Sequence, residues 1–534
     1  MTLFKKVKIH RIIQSFFLII VVLSSLLCIY SLTIKHPHVL GNHVIRTDSQ
    51  GKILSWVTPQ ANAYGIVVDI SWDFIKNKVP IEPCGYKGYM ISCSYDIFNN
   101  PGYATYNLLD MAGLFGEFVD SLIPYYAYTG DWSYVEVVRE MLDHALIYGL
   151  TPDSWVWPNM PYAWSPGGEY NYSGRIEPDK AGEFGLGLLK FYQLTNETKY
   201  LDAALDIADV LALKVRQGNA THAPWSCRAL PEDGQVLVQY TGNVVGELNF
   251  LEELIKLSLV NVSDYINARD IARSFLLNHV IPNNDWRYYF EDYADDIPTK
   301  SEFNADETAR YIMNHRDWDA VWELHVNSIW KWVEEILGEH TWDAYGVLPI
   351  SEQTVDLYYG EFSHTARHAS VKAQYAAITN NSDIKEEAFR LFNWATYAVQ
   401  PTTSFVLFSA NDLDNTEIWY TDGHADYIRH FMTGMSYFPE WAPPNESHLV
   451  KSDSIVQNVI YSVNYINYTV FDASISCIDI FRVNFTPTSL IAGSTPLNLQ
   501  ADLSSLGYTL TALENNDFIL KINHTGENSV SIKI

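Results

Sequence analysis

The chain has 534 residues, of which 48% are apolar and 14% are aromatic, so it is long enough for a large core and a smaller second domain. Its formal net charge of -28 at pH 7 argues against nucleic acid and anionic membrane surfaces as general partners, because an acidic surface repels polyphosphate. A local basic pocket for a sugar acid is compatible with this charge.

Residues 1–35 are predicted to form a cytoplasmic basic stub followed by a signal anchor. Four basic residues precede an apolar run from 15 to 32, which is long enough to cross a bilayer, and no Ala-x-Ala cleavage site follows it. We expect a single-pass membrane protein with its bulk outside the cytoplasm. A cleaved signal peptide, which would give a secreted protein, is the alternative. Asn-x-Ser/Thr sites agree with export and begin at Asn171, Asn196, Asn219, Asn261, Asn380, Asn445, Asn467, Asn484 and Asn523.

The spacing of the cysteines in the sequence does not predict a metal site. Cys84 and Cys93 are near enough in sequence to form a disulfide in an oxidising compartment. There is no Cys-x-x-Cys and no His-Glu-x-x-His, so neither a structural zinc nor a zincin site is predicted, and we expect no metal and no cofactor.

A repeat follows residues 36–60, which we predict to be a polar tether. The segment 128–134 (Tyr-Thr-Gly-Asp-Trp-Ser-Tyr) recurs at 194–200 and more loosely at 260–265. Upstream of each copy stands a Gly-Glu pair followed by an apolar residue, at 116–118, 182–184 and 246–248. The pattern indicates a two-helix unit that has been used several times.

The unit combines a helix rich in Gly and Ala, suited to an inner ring, with a helix that carries a narrow polar stripe. Six inner helices are predicted to begin near Asn107, Ala181, Asn243, Asn304, Ser363 and His424. Outer helices are predicted near Trp132, Thr198, Tyr265, Ala320 and Ile384, and 61–78 supplies the sixth. We therefore predict a mainly α toroid of six hairpins over residues 61–444, with long loops and inner-helix N-termini at one mouth. Residues 450–534 alternate apolar and polar in short runs, which predicts a small β-sandwich.

These features together resemble the six-hairpin glycosidase-like superfamily of (α/α)6 barrels. The resemblance is one of architecture and repeat style and covers about residues 60 to 440. It implies a carbohydrate substrate, and it leaves the reaction open because the superfamily contains inverting glycoside hydrolases, polysaccharide lyases and sugar epimerases.

The long loop before the second inner helix is the first candidate site. Aromatic rings stack on the C–H faces of sugars, and charged side chains bind sugar hydroxyls. Glu177 and Asp179 are candidate catalytic carboxyl groups at its end. The candidate binding residues are Trp155, Trp157, Tyr162, Trp164, Arg175 and Lys180. A rigid surface loop packed by its own rings is the alternative. Glu117, Glu183 and Glu247 recur with the repeat, and a structural role near helix N-termini is expected for them.

A second loop combines rings and acids in the same way. Glu291 and Asp292 are candidate catalytic residues there. Asn304 resembles a helix cap with Glu307 three residues on, which is a capping box, and this structural role is at least as plausible for Glu307 as catalysis. The candidate binding residues of this region are Trp286, Tyr288, Asn304 and Arg310.

The last two inner helices supply the remaining candidates. His364 and His368 share one helix face with Arg367 beside them. This spacing could hold a metal, but no third ligand is evident nearby, so binding of a sugar acid is preferred and ordinary surface residues are the alternative. Asp426 is a further candidate catalytic residue. The other candidate binding residues here are Trp419 and His424.

Three functions compete at this point. A glycoside hydrolase would draw its acid and base from Glu177, Asp179, Glu291, Asp292 and Asp426. A lyase or epimerase acting on uronic acids would use His364, His424 or a Tyr as base, with Arg175 or Arg367 neutralising the substrate acid. A non-catalytic glycan-binding surface protein would need the rings alone.

Overall fold

The computed structural model describes residues 38–79, 93–95, 104–106, 111–163, 174–259, 261–289, 296–355, 359–410, 418–419 and 421–534. The predictions made for the signal anchor, the disulfide of Cys84, and the site residues Trp164, Glu291 and Asp292 lie outside these residues, as do those for the side chains of Cys93 and Trp419. Across the described ranges, no helix has both the length and the apolar character needed to cross a membrane.

Twelve α-helices of the described ranges form six hairpins. The outer helices are α1 (Ala63–Asp73), α3 (Ser133–Tyr148), α5 (Thr198–Lys214), α7 (Val262–Phe275), α9 (Trp322–Leu337) and α11 (Ser382–Ala395). The inner helices are α2 (Met111–Thr129), α4 (Pro178–Thr195), α6 (Val245–Leu257), α8 (Glu302–Asn314), α10 (Phe362–Thr379) and α12 (Thr421–Tyr437). Successive inner helices pack against one another, and α12 packs against α2, which closes the ring. The predicted (α/α)6 toroid is confirmed.

Small residues set the spacing of the inner ring. A Cβ atom on Gly182 of α4 would lie 2.4 Å from the backbone nitrogen of Glu247 in α6, and one on Gly246 would lie 2.3 Å from the carbonyl oxygen of Asp179. Helices α4 and α6 therefore meet backbone to backbone, at a separation that any larger side chain would increase. This contact explains why glycine recurs at the same place in the repeat.

Residues 38–60 correct the prediction of a tether. The apolar side chains of Ile53 and Val57 are buried. The ring of His43 stacks on Trp56 at 4.2 Å, and the Trp56 indole donates a hydrogen bond to the carbonyl of Thr396. The segment is polar on average, but its few apolar residues dock it against the end of α11.

Eleven short strands accompany the helices in the ranges that the structure describes, and all of their pairings are antiparallel. They are β1 (Val39–Leu40), β2 (His43–Val44), β3 (Arg46–Thr47), β4 (Ile53–Leu54), β5 (Cys93–Tyr95), β6 (Ala104–Tyr106), β7 (Arg228–Ala229), β8 (Val236–Val238), β9 (Val399–Gln400), β10 (Phe405–Val406) and β11 (Ile418–Trp419). They border the loops at the end of the toroid where the inner helices begin.

The C-terminal region forms two antiparallel sheets, as the sequence predicts. Its strands are β12 (His448–Lys451), β13 (Val456–Tyr461), β14 (Tyr465–Val470), β15 (Ile478–Val483), β16 (Ser489–Ala492), β17 (Thr495–Leu497), β18 (Gly507–Ala512), β19 (Phe518–Asn523) and β20 (Ser529–Lys533). One sheet has the order β12-β15-β19-β18 and the other β13-β14-β20-β16-β17. The sandwich packs on the short-turn face of the toroid, where His448 stacks on Tyr128 with ring centroids 3.7 Å apart.

Candidate active site

The inner ring surrounds a cavity of about 520 Å³, here called the axial cavity. Its size falls within the range of about 300–1,000 Å³ that is usual for small-molecule sites. Helices α2, α4, α6, α8 and α12 line it, and Phe303 contributes an aromatic ring. The ionisable side chains in its wall, apart from histidines, are Glu117, Asp120, Glu183, Lys190, Glu252, Glu253, Lys256, Glu307, Arg310 and Arg429. Carboxyl groups thus outnumber cations, which favours a neutral ligand over an anionic one.

The axial cavity adjoins a cleft of about 620 Å³ between the short-turn face and the β-sandwich. Lys190, Glu253 and Arg310 line both spaces. The sandwich side of the cleft is formed by residues 449–456 and 471–474. The cavity thus extends toward the β-sandwich. The mouth predicted from the sequence lies on the opposite side of the toroid, beside the long loops.

Arg367 of α10 ties three inner helices together beside this cavity. Its guanidinium lies 2.7 Å from Glu302 of α8 and 2.7 Å from Asp426 of α12, and its Nε lies 3.4 Å from Glu307. The side chain is almost fully buried. Burial alone would lower the pKa of Arg367, but the surrounding carboxylates raise it well above its usual value. A buried guanidinium is stabilised only when such anions compensate the loss of hydration.

Asp426 is the anionic centre of the same network. Its Oδ1 accepts hydrogen bonds from Arg429 at 2.8 Å and from His430 at 2.9 Å. Burial would raise the pKa of Asp426, but Arg367 outweighs burial, with Arg429 acting in the same direction, and the pKa falls well below its usual value. Burial lowers the pKa of His430 to about 3, so its imidazole is neutral at neutral pH. Asp426 is therefore held as a fully paired carboxylate, which makes it unsuited to proton donation.

Two glutamates in the cavity wall have opposite protonation states. Burial raises the pKa of Glu183 to about 8, and the nearby Asp179 carboxyl acts in the same direction, so Glu183 keeps its proton at neutral pH. Burial acts on Glu307 as well, but Arg310, Arg429 and Arg367 outweigh it and lower its pKa to about 2. Arg310 Nε lies 3.0 Å from Glu307 Oε2. One cavity thus contains a protonated acid and a carboxylate, which is the division of roles that acid/base chemistry requires.

Glu177 and Asp179 lie where α4 begins, and both are buried. Glu177 is paired with Arg228 at 2.6 Å and with Lys180 at 3.2 Å. Burial raises the pKa of Asp179 to about 7, and the neighbouring Glu177 adds to the rise. The amide of Asn243 donates to Asp179 Oδ2 at 3.4 Å. The predicted cluster of Glu177, Asp179 and Lys180 exists, but it is enclosed above the cavity and does not line it.

His364 and His368 belong to two separate ion-pair groups. His364 Nδ1 lies 2.8 Å from Glu302, and burial lowers the pKa of this histidine. His368 Nδ1 lies 2.8 Å from Asp306; burial would lower its pKa, but Asp306 and Glu334 raise it to about 9. The predicted pairing of the two histidines at one ligand is therefore wrong, because each imidazole is turned to a different carboxylate of α8.

Two carboxyl groups lie beside His364, and their spacing in the sequence does not reveal this cluster. Donor atoms of Glu352, Glu361 and His364 all lie within 4.8 Å of one another, and the three side chains are buried. Two carboxylates and an imidazole suit a divalent cation. Glu361 comes directly before α10, whereas Glu352 approaches from the preceding loop.

His424 lies on the outer side of its helix. Its ring stacks on Phe74 at 4.3 Å, next to α1, and its Nε2 accepts a hydrogen bond from the backbone N–H of Val406 at 3.3 Å. From the sequence, His424 is a candidate base for proton abstraction. The structure corrects this prediction, because the accepting nitrogen is already bonded in the core and the ring is turned away from the axis.

The predicted sugar-stacking rings are largely packed into protein. Trp157, Tyr162 and Trp286 have exposed fractions of 6%, 5% and 0% and belong to the main core. Trp155 is half-buried against the same core. A sugar would need at least one exposed ring face, so these three buried rings do not stack on a sugar as predicted. They pack the loops against the core instead, which is the alternative stated for the first loop.

Four further predicted residues are placed as follows. Arg175 is buried, and Tyr288 is half-buried with a positive φ of 60° beside the guanidinium of Arg287. Ser301, and not Asn304, caps α8, since its side chain accepts from the backbone N–H of Asn304. The Asn304 amide donates to the carbonyl of Trp286 at 3.1 Å, so its role is to fix the preceding loop. Arg310 lines the axial cavity.

Known proteins resemble this chain in structure and not in sequence. No protein-family model matches the chain, and no curated protein sequence matches it. A family 76 glycoside hydrolase from a bovine Bacteroides thetaiotaomicron strain matches with a TM-score of 0.50 and 12% identity, over 69% of this chain and 77% of that one. A D-mannose isomerase matches with a TM-score of 0.53 and 10% identity, over 69% and 96%. A cellobiose 2-epimerase from Bacillus thermoamylovorans matches with a TM-score of 0.51 and 11% identity, over 69% and 99%. The chain therefore shares the (α/α)6-barrel fold of these proteins.

Proposed function

We propose that this protein is a carbohydrate-active enzyme, and specifically a glycoside hydrolase that cleaves a neutral oligo- or polysaccharide in the axial cavity. The observation that carries the proposal is the pair of cavity-lining glutamates with opposed pKa values, about 8 for Glu183 and about 2 for Glu307. Glycosidic cleavage needs one carboxylic acid to protonate the leaving oxygen and one carboxylate close to the anomeric carbon at which the bond breaks.

In this reaction Glu183 donates its proton to the glycosidic oxygen as the bond from that oxygen to the anomeric carbon breaks. The Glu307 carboxylate stabilises the positive charge that develops on the sugar ring. A water molecule adds to the anomeric carbon as the hydroxyl group of the new reducing end, and its other proton returns to the Glu183 carboxylate. Arg310, 3.0 Å from Glu307, keeps this carboxylate ionised. The excess of carboxyl groups in the wall supports a neutral sugar as substrate.

A sugar epimerase or isomerase is the second candidate, favoured by the neutral imidazoles beside the cavity. His430 has a pKa of about 3, and burial lowers the pKa of His364. A neutral imidazole oriented by a carboxylate can abstract a proton from a carbon next to a carbonyl group. In this candidate Asp426 and Glu302 would orient the bases, and Arg429 would stabilise the enolate oxygen.

The test is to incubate the purified full chain with neutral oligosaccharides and with uronic-acid oligosaccharides in D₂O. Hydrolysis of a neutral substrate produces new reducing ends without ultraviolet absorption and without deuterium at carbon. An ultraviolet chromophore from an unsaturated uronide would instead identify a lyase, and carbon-bound deuterium without new reducing ends would identify the epimerase. Binding without any turnover would overturn both enzymatic candidates in favour of a glycan-binding protein.

We further propose that the protein acts outside the cytoplasm, anchored by residues 15–32. The apolar run supports anchoring, and exposed acceptor positions at Asn196, Asn380 and Asn445 support export. Resistance to alkaline extraction from membranes, together with a mass loss on deglycosylation, is the expected result. Recovery of the unglycosylated chain in the cytosol would contradict this location.

A further inference from the structure

The β-sandwich contains a buried cluster of metal-ligating side chains far from the axial cavity. Cys477, Asp479 and His524 are fully buried, and one donor atom of each lies within 4.8 Å of the other two. Cys477 Sγ lies 3.9 Å from Asp479 Oδ1, and His524 Nε2 lies 3.0 Å from Asp479 Oδ2. Thiol, carboxyl and imidazole groups are rarely buried together in a small apolar core unless another interaction compensates for their lost hydration.

The strand register brings the three side chains together. Cys477 and Asp479 are two residues apart at the start of β15 and therefore face the same side of the sheet. Strand β19 pairs with β15 so that Ile478 is opposite Asn523, and this register places His524 beside Cys477. The inward side of this sheet carries the cluster. The hydroxyl of Tyr468, buried on β14 of the other sheet, interacts with the Asp479 carboxylate.

Hydrogen bonding fixes which histidine nitrogen faces the cluster. His524 Nδ1 donates to the carbonyl of Glu527, so the lone pair of a neutral imidazole is on Nε2. His524 Nε2 and Asp479 Oδ2 are both buried and face each other at 3.0 Å. Two electron-rich atoms 3.0 Å apart repel each other unless a cation lies between them. That cation is either a proton or a metal ion.

The donor set favours a metal ion of the zinc type. Thiolate, imidazole and carboxylate are the ligands that zinc takes in proteins, at about 2.0–2.3 Å. Tetrahedral angles with these bond lengths separate neighbouring donor atoms by about 3.3–3.6 Å. The distance from His524 Nε2 to Asp479 Oδ2 is 3.0 Å and that from Cys477 Sγ to the other carboxylate oxygen, Oδ1, is 3.9 Å, so the observed separations lie on either side of this range. The backbone carbonyl on Nδ1 is the outer partner that orients metal-bound histidines in general.

We propose that Cys477, Asp479 and His524 bind one Zn²⁺ ion that stabilises the β-sandwich. On binding, the Cys477 thiol releases its proton to solvent and its sulfur bonds to the metal, with no change of oxidation state. The sequence contains no Cys-x-x-Cys and therefore predicts no zinc, whereas these ligands are a Cys-x-Asp pair and a histidine from the antiparallel partner strand.

The test uses the purified full chain, stripped with a chelator and reloaded with Zn²⁺ or Co²⁺. About one metal ion per chain is expected, and the Co²⁺ form is expected to show a thiolate-to-cobalt charge-transfer band. Cys477→Ser is expected to abolish this band and to weaken metal binding by at least about tenfold. Cys227→Ser is the matched control, because Cys227 is the other buried free cysteine of the described residues and should leave the band unchanged.

Two results would overturn the proposal. One is a wild-type chain that shows no charge-transfer band after loading with Co²⁺, which would assign the cation to a proton. The other is an unchanged band in folded Cys477→Ser. If Cys477→Ser does not fold, His524→Cys provides a second variant that keeps three ligands, and a stronger charge-transfer band from two thiolates is expected. A band of wild-type strength there would contradict ligation by residue 524.

Discussion

Glu183→Gln should remove a destabilising contribution that grows as pH rises. A carboxyl group whose pKa rises from 4.5 to about 8 on folding keeps a proton that the unfolded chain releases. Below pH 4.5 both states are protonated and the group has no effect. Between pH 4.5 and about 8 it lowers the free energy of unfolding by about 1.4 kcal/mol per pH unit. Glutamine has the shape of the protonated acid and does not ionise, so the variant does not lose stability in this way.

The size of the effect follows from the same pKa difference. Each tenfold change in proton affinity is worth about 1.4 kcal/mol, so the upper limit at pH 8 is about 5 kcal/mol. Glu183 lines the cavity and is partly exposed to it, and water there screens the charge. We therefore expect Glu183→Gln to match the wild type at pH 4.5 and to exceed it by about 2 to 5 kcal/mol at pH 8.

The assay is urea unfolding of both proteins at one-unit steps from pH 4.5 to 8, followed by tryptophan fluorescence. The difference between variant and wild type cancels the contributions of all other titrating groups. A difference that stays constant across this range would refute the reasoning, because Glu183 would then be ionised at neutral pH in the folded protein. It could no longer serve as the general acid.

Three further substitutions test the surroundings of the cavity by the same unfolding assay. Glu307→Gln should be less stable than wild type by about 3 kcal/mol at pH 7, because a pKa of Glu307 lowered to about 2 stabilises the folded wild type above pH 4.5. This deficit should shrink as the pH falls from 4.5 toward 2. An equal deficit at pH 3 and pH 7 would contradict the prediction. Arg367→Met should lower the free energy of unfolding by about 3–5 kcal/mol, because it leaves buried carboxylates unpaired. Lys331→Met, at an exposed position, is the control and should change that free energy by less than about 0.5 kcal/mol. Gly182→Ala should lose at least about 1–3 kcal/mol through its clash with the Glu247 backbone, and full stability would refute the close contact of α4 and α6.

The sequence predicts the barrel well because its signals are local. Repeated Gly-Glu pairs and Thr-Gly-Asp turns mark the hairpins, and each inner helix begins within four residues of its predicted start. The Gly182 and Gly246 contacts give these pairs a physical reason, since the inner helices cannot approach without them.

The candidate site is predicted only in part, since its contacts join residues that are far apart in the sequence. Arg367 and Asp426 are identified from their positions at helix N-termini, but their mutual pairing is a property of the closed ring. Glu183 and Glu307 are interpreted as structural because a local role, in the helix dipole or a capping box, explains each of them adequately. Trp157 and Trp286 are interpreted as exposed rings because composition does not tell which side of a loop is covered.

The most direct test of the hydrolase is the rate of reducing-end release from a neutral oligosaccharide by wild type, Glu183→Gln and Glu307→Gln at pH 6. The wild type should release reducing ends, and each folded variant should lose at least about 100-fold in kcat, because each removes one half of the acid/carboxylate pair. Release at the wild-type rate by either variant would contradict the account.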